Sequence, residues 1–224
     1  MSDRVIKHLS EFVKEERLTV LKSRLQERTR YITVCLEDIY QSQNASAVLR
    51  TCDAFGVQNV HIIENLNKYQ VNPMVARGSA KWIDMVKYNN ADNPTLDAIA
   101  ALKKDGYRIV ATSPHEVGDT ALEDFDLTKG KAAIVFGTEL TGISQTVVEH
   151  ADEFLRIPMH GFVESLNISV SAAIVLHYLT LELRKSSISW QLSAEEQEAL
   201  LLKWLKLSVR ESEKIIQHYY HELT

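Results

Sequence analysis

Two cysteines, Cys35 and Cys52, are all that 224 residues contain, and both lie in apolar segments. A disulfide framework is therefore excluded as the organising device. Reduced, packed thiols and a cytoplasmic location are the expectation. Long hydrophobic runs are missing too. Stretches such as 132–136 and 172–176 fall far short of the roughly 20 apolar residues that span a bilayer, and Met1-Ser2-Asp3-Arg4 leads into a charged amphipathic segment, so neither secretion nor membrane insertion is expected. Positive charge is not in excess: 25 basic against 30 acidic side chains give a net charge of −5, which offers no global sign of a nucleic-acid partner. Several chemical signatures are also absent. There is no Gly-x-Gly-x-x-Gly fingerprint and no phosphate-binding lysine loop. His218 and His221 stand three apart without a cysteine or carboxylate set to close a metal site, so no metal is expected. Ser165 is not in a Gly-x-Ser-x-Gly elbow, and His160 and His177 have no sequence-defined partner.

What is present is an alternation of strand and helix patterns. Tyr31 to Leu36 reads as a first core strand, and 60–63, 107–112 and 153–157 as further strands. Lys131 to Phe136 is nearly continuously apolar before Gly137, as a central parallel strand covered on both faces would be. Helices are expected from about Asn44, a plausible N-cap, to Gly56, over Thr95 to Lys104, over Ser144 to His150, and from near Ser165 through the run Ala172 to Leu176. The fold class is α/β, a mostly parallel sheet with flanking helices and ligands at the carboxyl ends of strands. Periodicity gives no strand order, and knots are rare enough that nothing in the pattern suggests one. Residues 1–30 form an N-terminal helical extension, 31–184 the main domain and 185–224 a C-terminal helical extension in which Ser193 and Glu196 suggest a capping box. The first thirty residues hold eight Lys or Arg against five acids, compatible with a local positive face or with an ordinary solvated helix surface.

Three segments carry groups that can bind or react. Asn44 and Arg50 bracket the start of the first helix. Taken singly, Asn44 is a cap and Arg50 a surface or salt-bridge residue, yet an arginine there can also hold a phosphate or a reacting hydroxyl. Gly137-Thr138-Glu139-Leu140-Thr141-Gly142 follows the central strand directly, where its glycines permit close turns and Glu139 can organise the loop. Ile157-Pro158-Met159 ends another strand and leads through Gly161 to Ser165-Leu166-Asn167-Ile168-Ser169 at a helix start.

Together these segments resemble the motifs of the SpoU branch of the SPOUT methyltransferases, over about Tyr31 to Leu183. The run Leu49-Arg50-Thr51-Cys52-Asp53-Ala54-Phe55-Gly56-Val57, with Gly78-Ser79 downstream, resembles especially the subgroup that methylates a tRNA guanosine. The resemblance implies a deep trefoil knot, against the general expectation, and S-adenosylmethionine bound in a bent form among the knot loops. Thr112, Ser113, Gly137, Glu139, Ile157, Met159, Ser165, Leu166 and Asn167 would then lie around or beside it. It implies Arg50 as the catalytic arginine with Asn44 accompanying it, and transfer to the ribose 2'-hydroxyl of tRNA guanosine 18 in the D-loop. It also implies a homodimer, for which Ile174, Leu176 and Leu179 and the tail residues Leu201, Trp204, Leu205 and Leu207 offer apolar surface that could equally cover the chain's own core. Another tRNA nucleotide or rRNA, or RNA binding without turnover, stay open as alternatives. One departure bears on RNA choice: Asp38 to Gln43, before Asn44, contains no Lys or Arg, so the basic approach would come from the N-terminal helix, Lys81, Lys87 or the partner subunit.

Overall fold

The computed structural model describes residues 2–68, 72, 78–89, 92–113, 118–138 and 141–222. In chain order the main elements are α1 (Ser2–Ser10), α2 (Glu15–Gln26), β1 (Ile32–Glu37), α3 (Ser42–Phe55), β2 (Asn59–Ile63), β3 (Asp84–Tyr88), α4 (Pro94–Lys104), β4 (Arg108–Thr112), β5 (Thr120–Ala121), β6 (Ala132–Phe136), α5 (Gln145–His150), β7 (Glu153–Arg156), α6 (Ile168–Lys185), α7 (Ala194–Ser208) and α8 (Ser212–Glu222). Two units emerge: Arg30–Trp190, and the terminal segments Met1–Thr29 with Gln191–Thr224.

In the larger unit seven parallel strands lie in the order β3-β2-β1-β6-β4-β7-β5. The sheet splits its side chains by parity, as a period of two requires. Ile32, Val34 and Leu36 of β1, with Ala132, Ile134 and Phe136 of β6, face a core built with Val48, Leu49 and Cys52 of α3 and Ala172, Val175, Leu176 and Leu179 of α6. Cys35, Ala133 and Val135 face the opposite core, with Ala98, Ile99 and Leu102 of α4 and Val147 of α5. All residues of β1 and β6 are buried, which explains why β6 reads as an unbroken apolar run. Burying each large aliphatic side chain here contributes about 1.5–3 kcal/mol. Both cysteines are free and buried. Burial, with the Glu37 carboxylate adding to it, raises the Cys35 thiol pKa well above the ordinary thiol range, so it packs rather than reacts.

Chain direction at β1 sets the crevice. After β1 the chain moves outward through β2 to β3, and later segments return to fill the other side, with β6 inserted between β1 and β4. Loops leaving the carboxyl ends of β1, β6, β4 and β7 therefore meet where the progression reverses.

Several expectations need correction. Asn44 is not the N-cap of α3. Gln41 holds that position, and Asn44 lies one turn inside, buried, because the helix starts at Ser42. The helix after β7 starts at Ile168 rather than near Ser165, since Asn167 supplies the cap: its Oδ1 accepts from the Ser169 N–H at 2.9 Å and hydroxyl at 2.6 Å. The C-terminal extension is two helices, α7 carrying the apolar stripe and α8 following a break near Glu211, which has a positive φ of 57°. β3 and the two-residue β5 were not legible, because β3, at the sheet edge, has no fully buried residue and no alternation, and β5 is too short for a pattern. The capping box at Ser193 and Glu196 is present.

In the terminal unit Trp204 and Leu205 of α7 and Val5 and Leu9 of α1 are buried, and Arg28 lies 5.2 Å over the Trp204 ring. No helix among the described residues is long and apolar enough to cross a membrane.

Candidate functional site

The site grows from two helix starts on one face of the sheet. α3 and α6 share the core described above, and their first turns approach each other at the carboxyl edge. Here Asn167 Nδ2 donates to Asn44 Oδ1 at 3.3 Å, while Asn44 Nδ2 donates to Gln41 Oε1 at 3.3 Å. The first and third sequence segments, 123 residues apart, are thus joined by a direct hydrogen bond between the two asparagines singled out from sequence. A buried amide is costly unless its groups are engaged, so this link fixes both helix starts in register. Arg50 lies six residues on from Asn44 and is exposed, and its side chain makes no ion pair or hydrogen bond with another described residue. Its guanidinium is available to an incoming ligand at the same helix that carries the buried Asn44. Arg184 completes the support of α3 from the far end, donating to the Phe55 carbonyl at 2.9 Å, where a cation suits the helix C-terminus.

The second segment is bound closely to the sheet. Thr138 N–H donates to the Gly142 carbonyl at 2.8 Å, and Gly142 N–H returns to the Thr138 carbonyl at 3.1 Å. The hydroxyls of Thr138 and Thr141 are 2.7 Å apart. The turn folds back so tightly that a Cβ on Gly137 would lie 2.2 Å from the Gly142 carbonyl carbon and oxygen and 2.3 Å from the Ile143 nitrogen. Gly137 is required by space, since its φ is not in the left-handed region. Glu139 lies outside the described residues.

The remaining candidates sit on neighbouring loops. Thr112, ending β4, donates its hydroxyl to the Val135 carbonyl at 2.9 Å, and Ser113 N–H donates to the Leu155 carbonyl at 3.0 Å, so β4 is tied at its carboxyl end to both β6 and β7. Ile157, Met159 and Leu166 are half-buried, while Ser165 and Asn167 are exposed. Strands β6, β4 and β7 are adjacent, so the loops bearing Gly137, Thr112 and Ser113, and Ile157 and Met159 leave one edge side by side. Lys87 pairs with Glu64 at 3.1 Å, and Lys81 lies 4.6 Å from the Trp82 ring.

Sequence reasoning missed two residues here. Glu37, the last residue of β1, is buried, and its carboxylate reaches Ser144 beyond the Gly142 turn. An acid closing an otherwise apolar strand was the available sign. Asp38, next in the chain, takes a positive φ of 56° and accepts from the Leu66 and Asn67 amides at 2.8 and 2.7 Å.

Fold and crevice define an α/β protein whose candidate site lies at the carboxyl edge of a parallel sheet. Its family is now plain: the chain belongs to the SpoU rRNA Methylase family, whose pattern matches residues 31–177. It is 46% identical over 215 residues to the tRNA (guanosine(18)-2'-O)-methyltransferase of Borreliella burgdorferi, covering 94% of this chain and 95% of the relative. The crystal structure of the A. aeolicus TrmH/SpoU tRNA modifying enzyme superposes with a TM-score of 0.76 at 32% identity, covering 88% of this chain and 98% of that one. The 23S rRNA (guanosine-2'-O-)-methyltransferase RlmB of Coxiella burnetii is 34% identical over 163 residues, 71% of this chain and 61% of that protein.

Proposed function

We propose that this chain transfers a methyl group from S-adenosylmethionine to the ribose 2'-hydroxyl of a tRNA guanosine, position 18 of the D-loop, acting as a homodimer with a knotted cofactor region. The observation that carries the reading is the Asn44 to Asn167 hydrogen bond, which sets the helix of Arg50 against the helix start that ends the third segment. The extent of likeness to the tRNA guanosine-18 enzyme, over both terminal helical segments as well as the central sheet, favours tRNA over rRNA.

The residues present fit the cofactor. Half-buried Ile157, Met159 and Leu166 suit an adenine ring, and the loops after β4, β6 and β7 suit backbone hydrogen bonding, with Gly137 permitting a fold that any side chain would obstruct. The cofactor, when bound, supplies an electrophilic methyl on a sulfonium. The rest of the chemistry belongs to the protein and RNA. As the ribose 2'-oxygen bonds to the methyl carbon, the carbon–sulfur bond breaks and the hydroxyl proton leaves. Arg50 stabilises the developing alkoxide and orients the RNA, with an RNA phosphate as proton acceptor, because an arginine that stays protonated is a poor general base. Asn44 holds this helix turn, and Asn167 with Ser165 shapes the cofactor side.

The test is direct: purified protein incubated with labelled S-adenosylmethionine and unmodified tRNA is expected to label the 2'-oxygen of guanosine 18. Label on a base nitrogen, or none despite measured cofactor binding, rejects the reaction. Label at a different ribose rejects only the position.

Of the apolar residues suggested from sequence for a dimer, Ile174 and Leu207 are exposed, Leu201 is half-buried and the others are buried. Leu176 and Leu179 are buried in the α6 core, and Trp204 and Leu205 in the terminal unit, so none of them is available to a partner. Exposed Val170, Ile174 and Leu181 share one side of α6, and Phe162 and Val163 precede it. Light scattering is expected to give twice the chain mass, and Ile174→Asp to shift the protein towards monomer with loss of methylation; a fully active monomer rejects the dimer.

A further inference from the structure

We propose that Glu37 is a positioning residue, setting the cofactor loop between Gly137 and Ser144 relative to the helix that carries Asn44 and Arg50; this rests on the methyltransferase reading. Glu37 is 1% exposed, yet no cation pairs with it among the described residues. Its carboxylate is held by three donors. Oε1 accepts from the Thr95 hydroxyl at 2.7 Å and the Ser144 hydroxyl at 2.7 Å, and Oε2 accepts from the Ser144 N–H at 2.9 Å. A buried carboxylate held only by neutral donors is a costly choice for a strand end, and an apolar residue would cover the core at less expense. What it provides is geometry.

The arrangement joins the two halves of the site. Ser144 stands two residues beyond Gly142, whose backbone closes on Gly137, and its hydroxyl also caps α5 by accepting from the Val147 N–H at 3.2 Å. One end of the cofactor loop is fixed by β6, paired to β1 at Leu36 and Phe136, and the other by Glu37 of the same strand β1. Seven residues later comes Asn44. Through Thr95, which also receives a hydrogen bond from Asn65 Nδ2 at 3.0 Å, the carboxylate reaches the start of α4 and the loop after β2. Asp38 provides the comparison: it is equally part of the strand end, but its carboxylate grips the Leu66 and Asn67 amides, away from the cofactor loop.

The experiment uses S-adenosylhomocysteine binding by calorimetry and tRNA binding by filter retention. Glu37→Gln keeps an amide oxygen for the Ser144 N–H but turns its NH2 toward the Thr95 and Ser144 hydroxyls, replacing charge-assisted bonds with neutral ones, and is expected to weaken S-adenosylhomocysteine binding about tenfold while tRNA affinity stays within about twofold. Asp38→Asn, which tolerates the positive φ, is expected to lower the thermal midpoint while leaving S-adenosylhomocysteine affinity within about twofold. Unchanged cofactor affinity in Glu37→Gln, equal losses for cofactor and tRNA, or an equal loss in Asp38→Asn overturns the proposal. Should Glu37→Gln not fold, Ser144→Ala decides instead, with a loss of about threefold or more in cofactor affinity supporting the proposal and an unchanged affinity overturning it. Wild-type protein that does not bind S-adenosylhomocysteine rejects the methyltransferase reading itself.

Discussion

Arg50→Ala is expected to lower methyl transfer at least about 100-fold while S-adenosylmethionine affinity stays within about twofold. The asymmetry follows from placement. Arg50 is exposed on α3, the helix that carries Asn44, whereas the candidate cofactor loops leave β4, β6 and β7. An interaction made with charge that develops only during transfer lowers turnover without altering ground-state cofactor binding. Single-turnover rates at saturating cofactor, set beside equilibrium binding, separate the two. Parallel losses in both would place Arg50 in cofactor binding or folding. Lysine at this position is expected to recover little, since a point charge does not reproduce the planar fork of the guanidinium.

Gly137→Ala is expected to destabilise the protein by about 3 kcal/mol or more and to abolish cofactor binding in whatever fraction folds. The added Cβ would stand 2.2 Å from main-chain atoms of Gly142 and 2.3 Å from the Ile143 nitrogen, and main chain cannot swing aside as the end of a side chain can. Relief requires opening the Thr138 and Gly142 pair or shifting β6, a wholly buried strand at the centre of the sheet. Urea unfolding measures the first effect and S-adenosylhomocysteine calorimetry the second. Gly161→Ala is the control: its Cβ would meet nothing within 4 Å, so its unfolding midpoint should match the parent. Equal midpoints for the two variants would show that the turn yields more readily than its geometry implies.

Most of the individual elements were legible because they depend on local pattern. The buried runs of β1 and β6, the helix stop at Gly56 with its φ of 79°, and the Ser193 to Glu196 capping box each follow from a few adjacent residues. The caps of α3 and α6 were misplaced by two or three residues because Gln41, Asn44, Ser165 and Asn167 are all polar residues able to start a helix. Asn167 caps α6 through its own bond to the Ser169 N–H, and only the contact between the two helices makes Asn44 a buried link to it. The burial of Leu176, Leu179, Trp204 and Leu205, and the exposure of Ile174 and Leu207, could not be told apart for a related reason: a periodic stripe reveals that a helix has an apolar face, whereas burial against this chain's own core or exposure on its outer side depends on how the helix is docked.

By itself, then, the sequence determined the α/β alternation, the reduced cysteines and three segments bearing the residue types of a methyl-transfer site, all of them consequences of short-range pattern and composition. Tertiary structure alone decided the strand order β3-β2-β1-β6-β4-β7-β5, which brings those segments to one edge of one sheet. It alone paired Asn44 with Asn167 across 123 residues and turned the unremarked Glu37 into the anchor of Ser144, 107 residues away. The physical reason is that hydrogen bonds and close approaches between distant segments are fixed by sheet order and helix docking, and neither leaves a period in the chain.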